Sequence, residues 1–298
     1  MTKLTGSTYT KVALVVALCL VLCGGLLGCS TGCGSAWYNA QQQFEANFEA
    51  ADFENVGSAE VDSGGIRNIT VQWASGGVDV AVRNDDTDTI KLTETAPGRL
   101  SEQQQMRWRV QGDTLQIAYG WERSWLFGCS ATAHKQLTIE LPKRLAADLG
   151  AFTLQAASGT YDLGTLGCET LNIDLASGQV NGADMRADNL RMNVASGLID
   201  LKGAFVEQIA LDAASGNISI ASTACPASAD LTLLSGNVDI ALPADSSFTA
   251  DVKKLSGSFD CSFPTAHGKN TDSYVVVGSG DSRFAIDITS GNVSLQEA

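Results

Sequence analysis

One pattern of apolar and polar positions returns seven times in the C-terminal half of the chain, centred on a Ser-Gly pair. Apolar residues stand five positions before each glycine and mostly two and four positions after it, with polar residues between them. The first three steps between glycines are 19 residues each, and the later steps are 20, 21 and 34 residues. A period near 20 residues predicts one small structural unit stacked on copies of itself. The repeat glycines are Gly159, Gly178, Gly197, Gly216, Gly236, Gly257 and Gly291.

The alternation inside each repeat has a period of two residues, which is typical of β-strands with one buried face. Two short strands per repeat, stacked in parallel about 4.8 Å apart, predict an all-β fold of the parallel β-solenoid or β-helix type over residues 144–298. Each Ser-Gly pair is predicted to turn a corner, because glycine adopts a positive φ without strain. Lys254 interrupts one of the columns of inward-facing apolar residues. Residues 264–282 are predicted to be a loop or irregular turn. The last repeat, 284–296, is predicted to cap the stack.

Residues 57–143 show strand signals that are spaced like a small antiparallel β region. Two of the predicted strands, 69–73 and 78–82, flank the turn Ala-Ser-Gly-Gly, and another, 137–141, ends before Pro142. An apolar loop, 120–129, lies between the predicted strands 115–119 and 137–141 and contains Trp121 and Trp125. This loop either folds back over the open end of the sheet or forms an exposed contact patch.

The N-terminus has the pattern of an export and anchoring segment. Lys3 and Lys11 precede some 16 apolar residues, so residues 1–28 are predicted to be a signal or membrane-anchor segment outside the fold. The sequence Leu-Leu-Gly-Cys that ends at Cys29 resembles the bacterial lipobox, and this resemblance implies lipidation of Cys29. The alternative is an uncleaved transmembrane helix over roughly residues 12–29. Residues 29–56 are predicted to be a partly helical juxtamembrane stalk.

The charge of the chain limits the classes of partner. Its formal net charge is −14, from 19 basic and 33 acidic residues. Removing residues 1–28, which contain two lysines and no acid, leaves 17 − 33 = −16. A chain with this balance is not expected to bind nucleic acid or an anionic bilayer through charge.

The sequence contains files of polar residues but no catalytic motif. Acidic residues recur three positions after and four positions before the repeat glycines, a pattern that could hold Ca²⁺ or be a solvated outer face, and we favour the solvated face. The only histidines are His134 and His267, and neither stands beside a nucleophile motif. We therefore predict no enzyme activity, no metal and no cofactor. Cys168 and Cys225 lie three repeats apart, beyond disulfide reach, so Cys168 either pairs with Cys129 or is a buried free thiol.

The repeat itself, with segments such as Gly112-Asp113-Thr114-Leu115 and Ser290-Gly291-Asn292-Val293, resembles a bacterial β-strand-repeat domain of unknown function whose members are often labelled as candidate adhesins. This resemblance covers about residues 57–298 and implies display at the cell surface. The expected function is that of a non-enzymatic cell-envelope protein that binds an envelope, glycan or protein ligand. A sensory or regulatory component acting on a membrane partner, or a carbohydrate-active enzyme, is the alternative. The expected location is the bacterial cell membrane, with the main domain outside the cytoplasm.

Overall fold

A computed structural model describes residues 53–120, 134–265 and 273–298 of the chain. These residues form 21 strands in one strongly curled, mixed β-sheet, together with one short helix, α1 (Lys143–Ala147). The all-β prediction is confirmed. Within these ranges, no helix has the length and apolar content needed to span a bilayer. The predicted anchor segment, Cys29, most of the stalk, the loop 121–129 and His267 lie outside the described residues.

The strands, in chain order, are β1 (Asn55–Val56), β2 (Ala59–Asp62), β3 (Asn68–Trp73), β4 (Gly76–Val82), β5 (Thr89–Thr95), β6 (Arg107–Gln111), β7 (Thr114–Ala118), β8 (Lys135–Leu141), β9 (Leu149–Ala156), β10 (Thr160–Asp162), β11 (Gly167–Leu175), β12 (Gln179–Val194), β13 (Leu198–Ala213), β14 (Asn217–Ser222), β15 (Ser228–Leu233), β16 (Asn237–Leu242), β17 (Phe248–Lys254), β18 (Ser258–Cys261), β19 (Tyr274–Val277), β20 (Ser282–Ile288) and β21 (Asn292–Glu297).

The parallel strands lie in two rows that meet at the Ser-Gly corners. The first row contains the strands before each corner, in the spatial order β7, β3, β9, β11, β12, β13, β15, β20, β17. The second row contains the strands after each corner, in the order β8, β4, β10, β12, β13, β14, β16, β21, β18. We call a strand of the first row, together with the next strand of the second row along the chain, a coil. A Ser-Gly corner joins the two strands of every coil except that of β7 and β8, where residues 121–133 are outside the described residues. Strands β12 and β13 are long enough to contribute to both rows.

The pairing within the rows has the register that the sequence period predicts. Leu171 lies beside Leu190, which lies beside Ile209, so neighbouring partners are 19 residues apart. The apolar columns of successive coils therefore stack, and their residues are buried in one continuous core that runs from Val61 to Leu295. Burial of these columns is the main force that holds the coils together.

The region predicted to be antiparallel is mixed. Antiparallel pairs join β1 to β6, β6 to β7, β2 to β5 and β5 to β8. However, β3 and β4 form a coil that pairs in parallel with β9 and β10, and β7 and β8 form a further parallel coil outside it. Ile69 lies beside Phe152, 83 residues later, so this partner could not be found from a 19-residue period.

The last repeat does not cap the stack, which corrects the prediction. Strands β20 and β21 lie between the coil of β15 and β16 and the coil of β17 and β18. The coil of β17 and β18 is therefore outermost, although it comes earlier in the chain. The segment predicted to be a loop contains β19, which pairs antiparallel with β17. Phe284 of the inserted coil stacks on Phe248 of the outer coil, with ring centroids 4.6 Å apart and an interplanar angle of 8°.

Candidate interaction surface

The seven predicted glycines form a column along the corner of the sheet. All of them have a positive φ, between 94° for Gly257 and 147° for Gly159. A Cβ added to Gly178 would lie 2.4 Å from the carbonyl oxygen of Gly159, and one added to Gly197 would lie 2.4 Å from that of Gly178. Real Cβ atoms essentially never approach backbone so closely. The corner therefore needs glycine for two reasons, backbone conformation and space.

Gly76 belongs to the same column, although its surroundings in the sequence, Ala-Ser-Gly-Gly, predict only a turn between two strands. It has a φ of 96°, and its carbonyl oxygen lies 2.1 Å from the position of a Cβ on Gly159. A Cβ added to Gly76 would lie 2.0 Å from the carbonyl oxygen of Lys135, in the coil of β7 and β8. The signal that could have revealed it is Ser75-Gly76 with an alternating strand on each side, the same arrangement as in the later repeats.

The second row presents an outward file one position after each repeat glycine. Four of these seven positions carry an amide side chain, and the members of the file in stacking order are Thr160, Gln179, Leu198, Asn217, Asn237, Asn292 and Ser258. The side chain of Asn237 donates to the Oδ1 of Asn217 over 2.8 Å, and that of Asn292 donates to the Oδ1 of Asn237 over 2.8 Å. Ser258 ends this ladder with a hydrogen bond of 2.6 Å to the Oδ1 of Asn292. Each asparagine amide has two N–H groups, so the ladder leaves one N–H of Asn237 and Asn292 for a ligand.

A second outward file, three positions after each glycine, runs beside the ladder. Asp200 and Asp239 of this file flank Ser219, and Ser294 of the inserted coil lies between Asp239 and Asp260. The hydroxyl side chains separate the carboxylates, which reduces the repulsion between neighbouring coils. We call the polar side chains of the two files on strands β12, β13, β14, β16 and β21 the amide–carboxylate face, which leaves out the residues of the edge strand β18. Its members are Gln179, Asn181, Asp200, Asn217, Ser219, Asn237, Asp239, Asn292 and Ser294.

The first row has its own outward polar residues, on a different part of the curled sheet. Asn193 donates to Asp174 over 2.7 Å, and Gln208 donates to Asp230 over 3.2 Å. These pairs repeat the lateral bonding of the amide–carboxylate face but without a continuous amide ladder. In the part of the chain that the structure describes, no group of three or more His, Cys, Asp or Glu side chains is placed to hold a metal ion. His134 is exposed.

A buried ion pair lies at the other end of the sheet and was not found from the sequence. The Nζ of Lys135 lies 2.8 Å from the Oε1 of Glu94, and their side chains are 0% and 3% exposed. The same Nζ donates to the carbonyl oxygen of Gln104 and lies 3.8 Å from the ring centroid of Tyr119. The backbone N–H of Met106 donates to the Glu94 carboxylate over 2.8 Å. This network holds the segment before β6, which contains Gln104 and Met106, against the coil of β7 and β8, so its role is structural.

The environment of this pair shifts two pKa values. Burial lowers the pKa of the Lys135 ammonium, and the hydrogen bond and charge of Glu94 act in the opposite direction. Burial, followed by the charge of Glu94, raises the pKa of Tyr119 to about 12. Lys135 is enclosed on all sides by the pair, the carbonyl oxygens and the rings, so it is not accessible as a nucleophile.

The three cysteines in the described residues, Cys168, Cys225 and Cys261, are free thiols. Cys168 points into the core between Leu149 and Ala187 of the neighbouring coils, and burial raises its pKa to about 12. The buried thiol therefore acts as a small apolar core residue.

We expect Cys168 to make the fold sensitive to alkaline pH. Its thiol stays protonated in the folded chain while the unfolded chain loses the proton above pH 9, so stability is lost as pH rises from 9 toward 12. Between pH 9 and 10, replacing Cys168 by Ala should reduce this loss by up to about 1.4 kcal/mol. Urea unfolding of both chains at pH 8, 9 and 10 measures the difference. Parallel pH profiles would contradict the prediction.

The sequence profile of the family described as Toastrack DUF4097 matches residues 66–296. The chain belongs to this toastrack family. The matched range includes both rows of the sheet, from before β3 to within the last strand. The matched range thus contains the glycine column and the amide–carboxylate face. The family's description names no activity.

Two solved structures are similar to this toastrack chain at low identity. One is a candidate cell adhesion protein from Clostridium sporogenes, 11% identical, with 82% of this chain and 100% of that chain covered and a TM-score of 0.32. The other is a candidate adhesin from Bacteroides fragilis, 14% identical, with 81% and 97% covered and a TM-score of 0.36. None of the curated proteins compared with the chain matches it.

Proposed function

We propose that this chain is a non-enzymatic interaction protein of the bacterial cell envelope that binds its ligand through the amide–carboxylate face. The observation that carries the proposal is the ladder Asn217, Asn237 and Asn292, whose amides are held in line by hydrogen bonds of 2.8 Å while their outer sides face solvent. Amide and carboxylate groups held in a rigid array suit ligands that carry many hydroxyl or amide groups, such as glycans and extended polypeptides.

The sheet supports this use because it is a rigid, repetitive platform. Nine coils stacked at about 4.8 Å form a β-solenoid-like surface about 40 Å long, with functional groups at a fixed spacing. A ligand with its own repeat can contact several coils at once, and many weak contacts then add to a useful affinity. The interior apolar columns form one continuous buried core, so the outward residues are not needed to fill it and can face a ligand.

The proposed location is the outer side of the bacterial membrane. It rests on the basic and apolar pattern of residues 1–28 and on the lipobox-like sequence that ends at Cys29. In this proposal Cys29 carries the lipid, or the apolar run stays as an uncleaved anchor, and the toastrack domain faces away from the cytoplasm.

A binding assay with matched variants tests the function. Full-length protein should bind saturably to at least one member of a panel of immobilised glycans and extracellular matrix proteins. The double variant Asn217→Ala and Asn237→Ala should weaken that binding at least about tenfold, which corresponds to about 1.4 kcal/mol. Asn193→Ala, which removes a laterally bonded asparagine from the first row, should change it less than about twofold. No saturable binding to any member, or equal losses in both variants, would reject the proposed face.

A further inference from the structure

Strand β18 ends the second row, and within the described residues it has a partner on one side only, β21. Ser258 and Ser262 donate their backbone N–H groups to the carbonyl oxygens of Gly291 and Leu295. Backbone groups of successive residues in a strand point to opposite sides. The N–H and C=O groups of Phe259 and Cys261 therefore point away from β21 and form an open strand edge.

The side chains at this edge are also incompletely covered. Phe259 and Cys261 continue the inward columns of Val293 and Leu295, which are 1% and 0% exposed, yet both are only partly buried. Leu255, at the corner just before β18, is 85% exposed. A further strand along this edge would bury the apolar side chains and satisfy the outward backbone groups in one step.

The opposite end of the second row does not have these properties. Antiparallel strands β5 and β2 continue the sheet beyond β8. The inward residue of the last strand there, Val61, is already 6% exposed, and its outward neighbour Glu60 lies 3.7 Å from the guanidinium of Arg83. A strand added at β2 would therefore gain little apolar burial.

We infer that the outer edge of β18 is a strand-addition site for an extended, basic segment of a protein partner. The outward residue of β18 is Asp260, which is exposed and has no ion-pair partner among the residues that the structure describes. Its neighbour on β21 is the neutral Ser294. A strand with a Lys or Arg opposite Asp260, and apolar residues opposite Phe259 and Cys261, complements both the charge and the apolar positions of the edge.

A second copy of the chain fits the edge less well than a basic segment. Each copy has a formal net charge of −14, so association of two copies works against electrostatic repulsion. The open end β2 of another copy would also bring Glu60 and Asp62 toward Asp260. Charged residues on edge strands commonly prevent such pairing between copies.

Short fluorescent peptides test the edge directly on the full-length protein. The probe is Ser-Val-Lys-Val-Ser-amide with a fluorophore in place of the acetyl cap on its N-terminal nitrogen, and the charge-reversed probe has Glu in place of Lys. Fluorescence anisotropy should show the Lys peptide binding at least about tenfold more tightly than the Glu peptide. We expect the peptide to add antiparallel to β18, so that its two valines exchange backbone hydrogen bonds with Phe259 and Cys261. A third probe, with N-methyl groups on both valine nitrogens, should therefore bind at least about tenfold more weakly than the Lys peptide.

Charge reversal on the protein provides the matched comparison. Asp260→Lys should reverse the preference, so that the Glu peptide binds more tightly than the Lys peptide. Asp230→Lys introduces the same change on β15, whose two edges are paired with β13 and β20, and should keep the preference of the unaltered chain. Because neither variant alters the asparagine ladder, loss of peptide binding is distinguishable from loss of glycan or matrix binding.

Four results would overturn the inference. They are no binding of any peptide, an equal effect of Asp230→Lys and Asp260→Lys, a concentration-dependent dimer abolished by Asp260→Lys, and slow amide exchange at Phe259 and Cys261 in the free chain. The third result would assign the edge to a second copy. The fourth would mean that these N–H groups already have partners, since open-edge amides exchange much faster than paired ones.

Discussion

Replacing Gly197 by Ala should lower the free energy of unfolding by at least about 3 kcal/mol. The new Cβ would lie 2.4 Å from the carbonyl oxygen of Gly178, and the backbone of Gly197 has a φ of 135°, which residues with a side chain rarely adopt. Backbone strain of this kind costs about 1–3 kcal/mol, and displacement of the neighbouring coil adds to it. Urea or guanidinium unfolding, followed by far-ultraviolet circular dichroism, measures the loss.

Two other glycines separate the two causes. Gly112 has a φ of 63° but no atom within 4 Å of its Cβ position, so Gly112→Ala should cost only the strain, about 1 kcal/mol. Gly98 has neither a positive φ nor a close neighbour, and Gly98→Ala should stay within about 0.5 kcal/mol of the unaltered chain. Equal losses at Gly197 and Gly112 would show that the stacking of the corners is not as close as the structure describes.

Replacing Lys135 by Met should destabilise the fold by about 3–5 kcal/mol. The substitution introduces an apolar side chain of similar length but leaves the Glu94 carboxylate buried without its cation, and uncompensated buried charges are costly. Adding Glu94→Gln should recover at least half of the loss, because a neutral amide oxygen still accepts the hydrogen bond from Met106. Unfolding free energies of the two single variants and the double variant give the coupling between the residues.

An exposed ion pair provides the comparison for this prediction. The Nζ of Lys91 lies 2.6 Å from the Oε2 of Glu140, but their side chains are 43% and 31% exposed. Lys91→Met should therefore cost less than about 1 kcal/mol. If Lys135→Met and Lys91→Met lower the free energy of unfolding by the same amount, burial does not make the loss of the Lys135–Glu94 pair more costly than the loss of an exposed pair.

The sequence was sufficient to predict the repeating part of the fold because the pattern is local and periodic. Each coil brings its own alternation and its own glycine, so the register between Leu171, Leu190 and Ile209 follows from counting residues. The inward and outward files were predicted in the same way. The ladder of Asn217, Asn237 and Asn292 was not predicted. Asn292 reaches Asn237 only because the inserted coil lies beside β16, and the period does not specify that order.

The buried pair of Lys135 and Glu94 could not be predicted by the same reasoning. The two residues are 41 positions apart, in a region without a regular period, and a lysine at the start of a strand is usually exposed. The ammonium group of Lys135 is enclosed only because the segment before β6 folds over the coil of β7 and β8.

The amino-acid sequence by itself determined what each coil contains: two short strands, a glycine corner, an inward apolar face and an outward polar face. Only the tertiary structure decided the order of the coils, because a period specifies a unit and not its neighbours. At the C-terminal end, Lys254 occupies the inward position that Ile288 fills in the adjacent coil and Leu233 fills in the coil beyond it. A lysine there is tolerated only where the stack ends and water reaches it, so the more apolar coil of β20 and β21 inserts ahead of it.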